Sequence, residues 1–166
     1  KPVTMFRLEG FETSVRYRAG ELAKALARFG AGRLIEGPDH WRKVRDASMF
    51  SDQSGAIWRI SVKPTDGVRV GAALSEARFL FDWSGGLVWA LTPETLDVRA
   101  ALTDIPGHAT LVRGSAEVRA RWGILNPEPA PLAALSEGLR KRFDPHGVFR
   151  SEQASDSGPA AIVAEA

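Results

Sequence analysis

The stretch that decides the fold is Ala56-Ile57-Trp58-Arg59-Ile60-Ser61-Val62. It is dense in β-branched and aromatic side chains, the types that pack well on a pleated backbone. With a period of two, Ile57, Arg59 and Ser61 fall on one face, and Trp58, Ile60 and Val62 on the other. Downstream, Pro64-Thr65-Asp66 opens a helix expected to reach about Ala77, weakened by Gly67 and Gly71. Residues 78–83 read as a strand, Ser84-Gly85-Gly86 as a tight turn, and residues 87–91 as the hairpin partner. Thr92-Pro93-Glu94 starts a helix through Leu102, and Gly107 precedes a strand over residues 108–113. The Pro-rich connector Asn126-Pro127-Glu128-Pro129-Ala130-Pro131 then leads to a last helix over residues 132–143.

Upstream of Ala56 the same reasoning gives a strand over residues 3–9. An amphipathic helix follows over residues 13–29, with Val15, Ala19, Leu22, Ala23, Leu26 and Phe29 at spacings of three and four. Gly30 and Gly32 stop it. A short strand over residues 33–36 and a helix from Pro38-Asp39-His40 through Trp41, Val44 and Arg45 come next, then a loop over residues 51–55. The succession of strands and helices fits an α+β fold, a ferredoxin-like sandwich with a mostly antiparallel sheet and helices packed on one face. Residues 1–149 read as one domain and residues 150–166 as a disordered tail rich in Ser, Ala, Gly and acidic side chains.

Composition agrees with a globular chain. Of 166 residues, 44% are hydrophobic and 25% charged, too apolar for disorder. There is no cysteine, which excludes disulfides, thiolate metal sites and Cys nucleophiles. No apolar run approaches the roughly 18–20 residues of a membrane span. The chain opens Lys1-Pro2-Val3 without an initiator Met and without a signal-peptide pattern, and so reads as a segment of a longer polypeptide. The net charge is +2. Arg16 with Arg18, and Arg140-Lys141-Arg142, are too few for the basic stripe of a nucleic-acid binder and read as solvated helix faces.

Most chemistries are excluded by pattern. His40, His108 and His146 are far apart, and none has a metal-ligand spacing. There is no Gly-x-Ser-x-Gly elbow. Gly30-Ala31-Gly32 precedes an expected strand, where a dinucleotide loop would follow one. What stands out is a set of Trp and Arg residues on or beside strands: Trp41-Arg42, Arg45, Trp58-Arg59, Trp83, Trp89 and Arg113. Trp fills cores and stacks on Arg, so packing accounts for much of this set. Arg59 or Arg113 could instead direct a guanidinium fork at a small carboxylate.

Several segments together resemble one family. They are Leu8-Glu9-Gly10-Phe11 with Ser14-Val15, Trp41-Arg42-Lys43-Val44-Arg45-Asp46, Ile57-Trp58-Arg59-Ile60-Ser61-Val62-Lys63-Pro64, and Phe143-Asp144-Pro145-His146-Gly147-Val148-Phe149. Asp82-Trp83-Ser84-Gly85-Gly86-Leu87-Val88-Trp89 and Gly107-His108-Ala109-Thr110 belong with them. The set is similar to the C-terminal half of the FAD-binding subunit of bacterial glycolate oxidase, within the FAD-linked oxidases related to vanillyl-alcohol oxidase. Where that family commonly continues into Asn-Pro-Gly-Arg near the flavin, Phe149 is followed here by Arg150-Ser151-Glu152-Gln153. The family's flavin contact is therefore not carried over to this end.

The resemblance implies a cap domain that shapes the flavin and substrate site of a 2-hydroxy acid oxidase subunit and is inactive alone. It implies FAD in the full-length subunit, held by an N-terminal domain, with none bound tightly by this chain. It further implies a second flavin subunit and an iron–sulfur subunit as partners, and a cytoplasmic location, peripheral to the inner membrane only through that complex. Under it, Arg59 and Arg113 are candidates to lie near substrate or flavin, with Trp58 and His108 as neighbours, and the four should line one outward concavity. The alternative is a non-catalytic ferredoxin-like assembly or small-molecule-binding module.

Overall fold

The computed structural model describes residues 2–35 and 37–149. They form two compact units, Lys1–His40 and Trp41–Ala166, where the sequence reads as one domain over 1–149. The expected tail over 150–166 lies outside the described residues.

The first unit holds one long helix, α1 (Glu12–Leu26), closed by a 3-10 turn, Ala27–Phe29. Salt bridges Arg16–Glu12 and Lys24–Glu21 run along it, with all four side chains well exposed. Its apolar stripe, Val15, Ala19, Leu22 and Leu26, is half-buried. The strands expected over residues 3–9 and 33–36 are absent where the chain is described. Alternation alone does not make a strand; a ladder partner must satisfy its backbone groups, and neither segment pairs with the sheet.

The second unit contains the sheet. After α2 (Asp39–Arg45), whose first turn spans the boundary, come β1 (Ala56–Val62), α3 (Gly67–Ala73), β2 (Arg78–Asp82), β3 (Leu87–Thr92), α4 (Val98–Ala101), β4 (Gly107–Arg113), α5 (Ala116–Trp122) and α6 (Ala130–Phe143). The strand order is β2-β3-β1-β4, and every pairing is antiparallel. This is the split β-α-β arrangement of the ferredoxin-like sandwich, an α+β fold as the strand and helix order predicts.

One sheet face is the core. Trp58 and Ile60 of β1, Val88 and Ala90 of β3, and Ala109 and Leu111 of β4 pack against Val70 and Leu74 from α3 and its end, Val98 and Leu102 at α4, and Val118 of α5. The opposite face carries a smaller cluster at one end, where Ala47 and Phe50 sit with Ile57 and Leu91, bordered by Leu80 and Trp89, and Leu87 is buried toward the other end. Helix α5, which the strand and helix pattern passes over, is capped by Ser115, whose hydroxyl accepts from Val118 N–H. The helices expected over 64–77 and 92–102 are shorter. Pro64–Asp66 forms a 3-10 turn before α3, and α4 starts only at Val98, behind an Asp97 cap that accepts from Ala100 N–H.

The β2–β3 turn is unusual. Trp83 and Ser84 have φ of 49° and 55°, left-handed values that cost a non-glycine residue about 1 kcal/mol or more each. The Asp82 carboxylate holds the turn by accepting from Trp83 N–H at 2.8 Å. Gly67 and Gly85 meet beneath it. A Cβ on Gly67 would stand 2.5 Å from the Gly85 carbonyl oxygen, and one on Gly85 would stand 2.6 Å from that of Pro64. Gly67→Ala should therefore destabilise the domain by about 1–3 kcal/mol, because backbone and not a mobile side chain must give way; urea unfolding followed by tryptophan fluorescence measures it.

Helix α6 buries no residue, and Leu132, Leu135, Leu139 and Phe143 along it are exposed. The segment after it closes on itself: the Asp144 carboxylate accepts from both Val148 and Phe149 N–H at 2.8 Å. The sequence Phe143-Asp144-Pro145-His146-Gly147-Val148-Phe149 is thus a self-capped turn.

Candidate functional site

Register places the side chains of the partly open sheet face in rows. Leu80, Trp89, Arg59 and Thr110 are mutual partners across the four strands, and the next row is Asp82, Leu87, Ser61 and His108. Directly paired residues project to the same side. Arg59 and His108 therefore share the face away from the helices, as their odd–even positions require.

Arg59 is half-buried at the centre of this face. Its guanidinium carbon stands 5.8 Å from the ring centroid of Trp83, within cation–π range. The stack draws the side chain toward the β2–β3 turn, on the side of β1 away from β4. Among the described residues no carboxylate or carbonyl accepts from it, so its N–H fork is open to a ligand. His108 is exposed, opposite Ser61, and a small cavity of about 230 Å³ reaches it from the helix side of the sheet, among Ile60, Leu102, Ile105 and Asn126.

Arg113 is brought to the same face by a different route. Strict alternation with Thr110 would send it to the core side, but the β1–β4 register shifts between Ile57 and Trp58, and Arg113 pairs with Ile57. Its guanidinium is already engaged, donating to the carbonyls of Ser51, at 2.9 Å, and of Gln53. Arg113 and Arg78, which donates to the Gln53 side chain, line an open groove of about 1010 Å³ at the far end of the strands. Both cations there hold the loop over residues 51–55 to the sheet. The sequence contains no marker for the Arg113 contacts, since their acceptors are main-chain oxygens.

Trp58 departs from the expected set. It is fully buried on the core face, 6.3 Å from Trp122 with the rings tilted, and cannot touch a ligand on the open face. Alternation around Arg59 makes this unavoidable. The four expected residues therefore do not line one concavity: Arg59 and His108 lie toward one end of the open face, Arg113 anchors a loop at the other, and Trp58 belongs to the core. Trp83, Ser61 and Thr110 take the vacated places around Arg59.

A second guanidinium cluster lies at the edge of β4. Arg99 of α4 stacks 5.1 Å over the Trp58 ring and donates to the carbonyls of Ala109, Trp122, Gly123 and Ile124 and to Asn126 Oδ1. Burial lowers its pKa below the ordinary arginine value, and the charge of Asp97 partly opposes this. With five oxygens around it, this arginine is a structural tie.

Among the described residues no group of three His, Asp or Glu side chains could hold a metal ion. No described helix is long and apolar enough to cross a membrane. Comparison of the chain with family models, curated proteins and solved structures finds no match.

Proposed function

We propose that the chain is the substrate-side cap of an FAD-dependent 2-hydroxy acid oxidase subunit of the glycolate oxidase type, with its open sheet face turned toward the flavin. One observation carries the reading. Three of the segments that resemble the family, residues 57–64, 82–89 and 107–110, are far apart in sequence and converge on one end of that face, around Arg59 with its open N–H fork. The face offers the flat side chain of Trp83, the half-buried Trp89 and a cation, which suit the ring end of a flavin and a small carboxylate beside it. It offers no glycine-rich loop opening a helix for a pyrophosphate, so the dinucleotide is held by the separate FAD-binding half. FAD, when bound there, supplies the hydride acceptor. The cap contributes a guanidinium that orients a carboxylate and aromatic surface that excludes water, and the chain alone is inactive.

The exposed stripe Leu132, Leu135, Leu139 and Phe143 favours a docking role alongside this one. We assign its occupant as the FAD-holding half, with the second flavin subunit and the iron–sulfur subunit binding the assembled product.

Titration of the purified chain with FAD should give no stoichiometric binding by calorimetry. Addition of the chain to the FAD-loaded N-terminal half of a bacterial glycolate oxidase FAD-binding subunit should perturb the flavin absorbance spectrum. Arg59→Glu should remove that change while circular dichroism stays constant. Tight FAD binding by the chain alone, or an unperturbed spectrum with the wild-type chain, overturns the proposal.

A further inference from the structure

The two outer edges of the sheet are finished differently. Along β4 the connector after α5 closes the edge: Leu111 N–H donates to the Ile124 carbonyl and Ala109 N–H to Asn126 Oδ1. Along β2 nothing does. Among the described residues the main chain of Arg78–Asp82 pairs with β3 alone, which leaves its outward N–H and C=O groups open. The strand has no proline, no bulge and no lysine, the devices that keep an open edge from pairing. Its charges stand only at its two ends.

The sequence of this edge is self-complementary. Set antiparallel against a copy of itself about Leu80, Arg78-Phe79-Leu80-Phe81-Asp82 puts Arg78 opposite Asp82, Phe79 opposite Phe81, and Leu80 opposite Leu80. A two-fold axis makes the first two pairs twice. Directly opposed residues share a side of the sheet, so both Arg–Asp pairs lie on the open face and both Phe–Phe pairs on the helix side. A parallel pairing would set like charges side by side. A slip of one residue would put each charge opposite an apolar side chain.

The side chains are placed to meet. Asp82 uses one carboxylate oxygen on Trp83 N–H, and Arg78 is exposed, with one guanidinium nitrogen on Gln53. Phe81 is 47% exposed, tilted against Phe79 with the ring centroids 5.3 Å apart. Helix α3 rests beside it. A Cβ on Gly71 would stand 3.4 Å from Phe81 Cζ, and Val68, one turn earlier on that flank, is 80% exposed.

We infer that a second copy of this chain pairs with β2, joining two four-stranded sheets into one of eight strands about a two-fold axis at Leu80. Because the connector covers the β4 edge, the pairing uses the remaining bare edge and closes at two copies. This interface goes beyond the cap reading, and neither test depends on the other.

The experiment uses the purified chain. Sedimentation equilibrium over a concentration series should give a monomer–dimer equilibrium, and hydrogen exchange at the outward amides of residues 78–82 should slow as the dimer forms. Arg78→Asp sets like charges opposite each other twice and should weaken dimerisation by roughly tenfold or more. The chain has no cysteine, so Leu80→Cys supplies a single thiol facing its own copy. A short bismaleimide should link that variant as a dimer. It should not link Glu76→Cys, whose two copies stand about 20 Å or more apart along the strands. An unchanged circular dichroism spectrum shows that each variant folds. A chain that stays monomeric at millimolar concentration overturns the inference. So does a dimer that Arg78→Asp leaves intact, or one that gives residues 78–82 no added protection, because association then runs through another surface such as the α6 stripe. Equal linking of the two cysteines overturns the two-fold at Leu80.

Discussion

Trp58→Ala is expected to remove about 3–5 kcal/mol of stability. The side chain is wholly buried at the middle of the central strand, among Ile60, Val88, Ala109, Leu111 and Val118, with Trp122 and Arg99 against its ring. Strands pinned on both sides cannot collapse into the cavity left behind. The melting temperature should fall by roughly 10–20 °C. Trp58→Phe separates packing from polarity. The indole N–H has no acceptor among the described residues, so the change to Phe loses volume alone and should cost clearly less, about 1–2 kcal/mol. Comparable losses in the two variants would mean that the indole nitrogen has a partner, such as an ordered water.

Arg99→Met should cost about 2–4 kcal/mol, although Met keeps the apolar stem over Trp58. The loss comes from the oxygens. The carbonyls of Ala109, Trp122, Gly123 and Ile124 and the Asn126 amide lose a shared donor, and buried acceptors left alone carry their full desolvation penalty. Arg99→Lys should rescue little, because an ammonium cannot spread across five acceptors as the planar fork does. A local signature accompanies the global loss. The connector after α5 lies along the outer edge of β4, where Leu111 N–H donates to Ile124 and Ala109 N–H to Asn126 Oδ1. Hydrogen exchange at Ala109 and Leu111 should accelerate in Arg99→Met beyond what the fall in global stability explains. Uniform acceleration across the sheet would contradict the tie.

The legibility of the fold followed the physics of each segment. β1 was readable to the residue because alternation, β-branching and a bounding Pro64 agreed. β3 and β4 were nearly so. The N-terminal segment over residues 3–9 alternates equally well and forms no strand, since pairing is a property of a partner and is not written in the segment. Helix α5 escapes the pattern, although Ser115 stands as a cap before it, because seven residues between a strand and a Pro-rich connector give little periodicity to detect. At the site, Arg59 and His108 were recoverable by counting along strands. Alternation around Arg59 already placed Trp58 on the other face, and the Arg–Trp adjacency in sequence obscured it. Arg113 reaches the open face only through the register shift, and loop carbonyls consume its donors there. The contact of Trp83 with Arg59 depends on a left-handed turn that no residue in Trp83-Ser84 requires.

The strand order has a consequence for how the domain is made. β1 is central in the finished sheet, but it leaves the ribosome before either of its neighbours. β2 and β3 can close on each other as a local hairpin as soon as Thr92 emerges, whereas β1 gains its second neighbour only when Arg113 has been synthesised. Until then one of its backbone edges and the flank bearing Trp58 and Ile60 lack their final cover. Loop closure of this span makes the step slow relative to the hairpin. A chain arrested after β3 and before β4 presents an apolar strand with one open edge, the kind of surface chaperones recognise and aggregates grow from. The interval between the emergence of Thr92 and that of Arg113 is therefore the stage of synthesis at which the sheet is most exposed to misassembly.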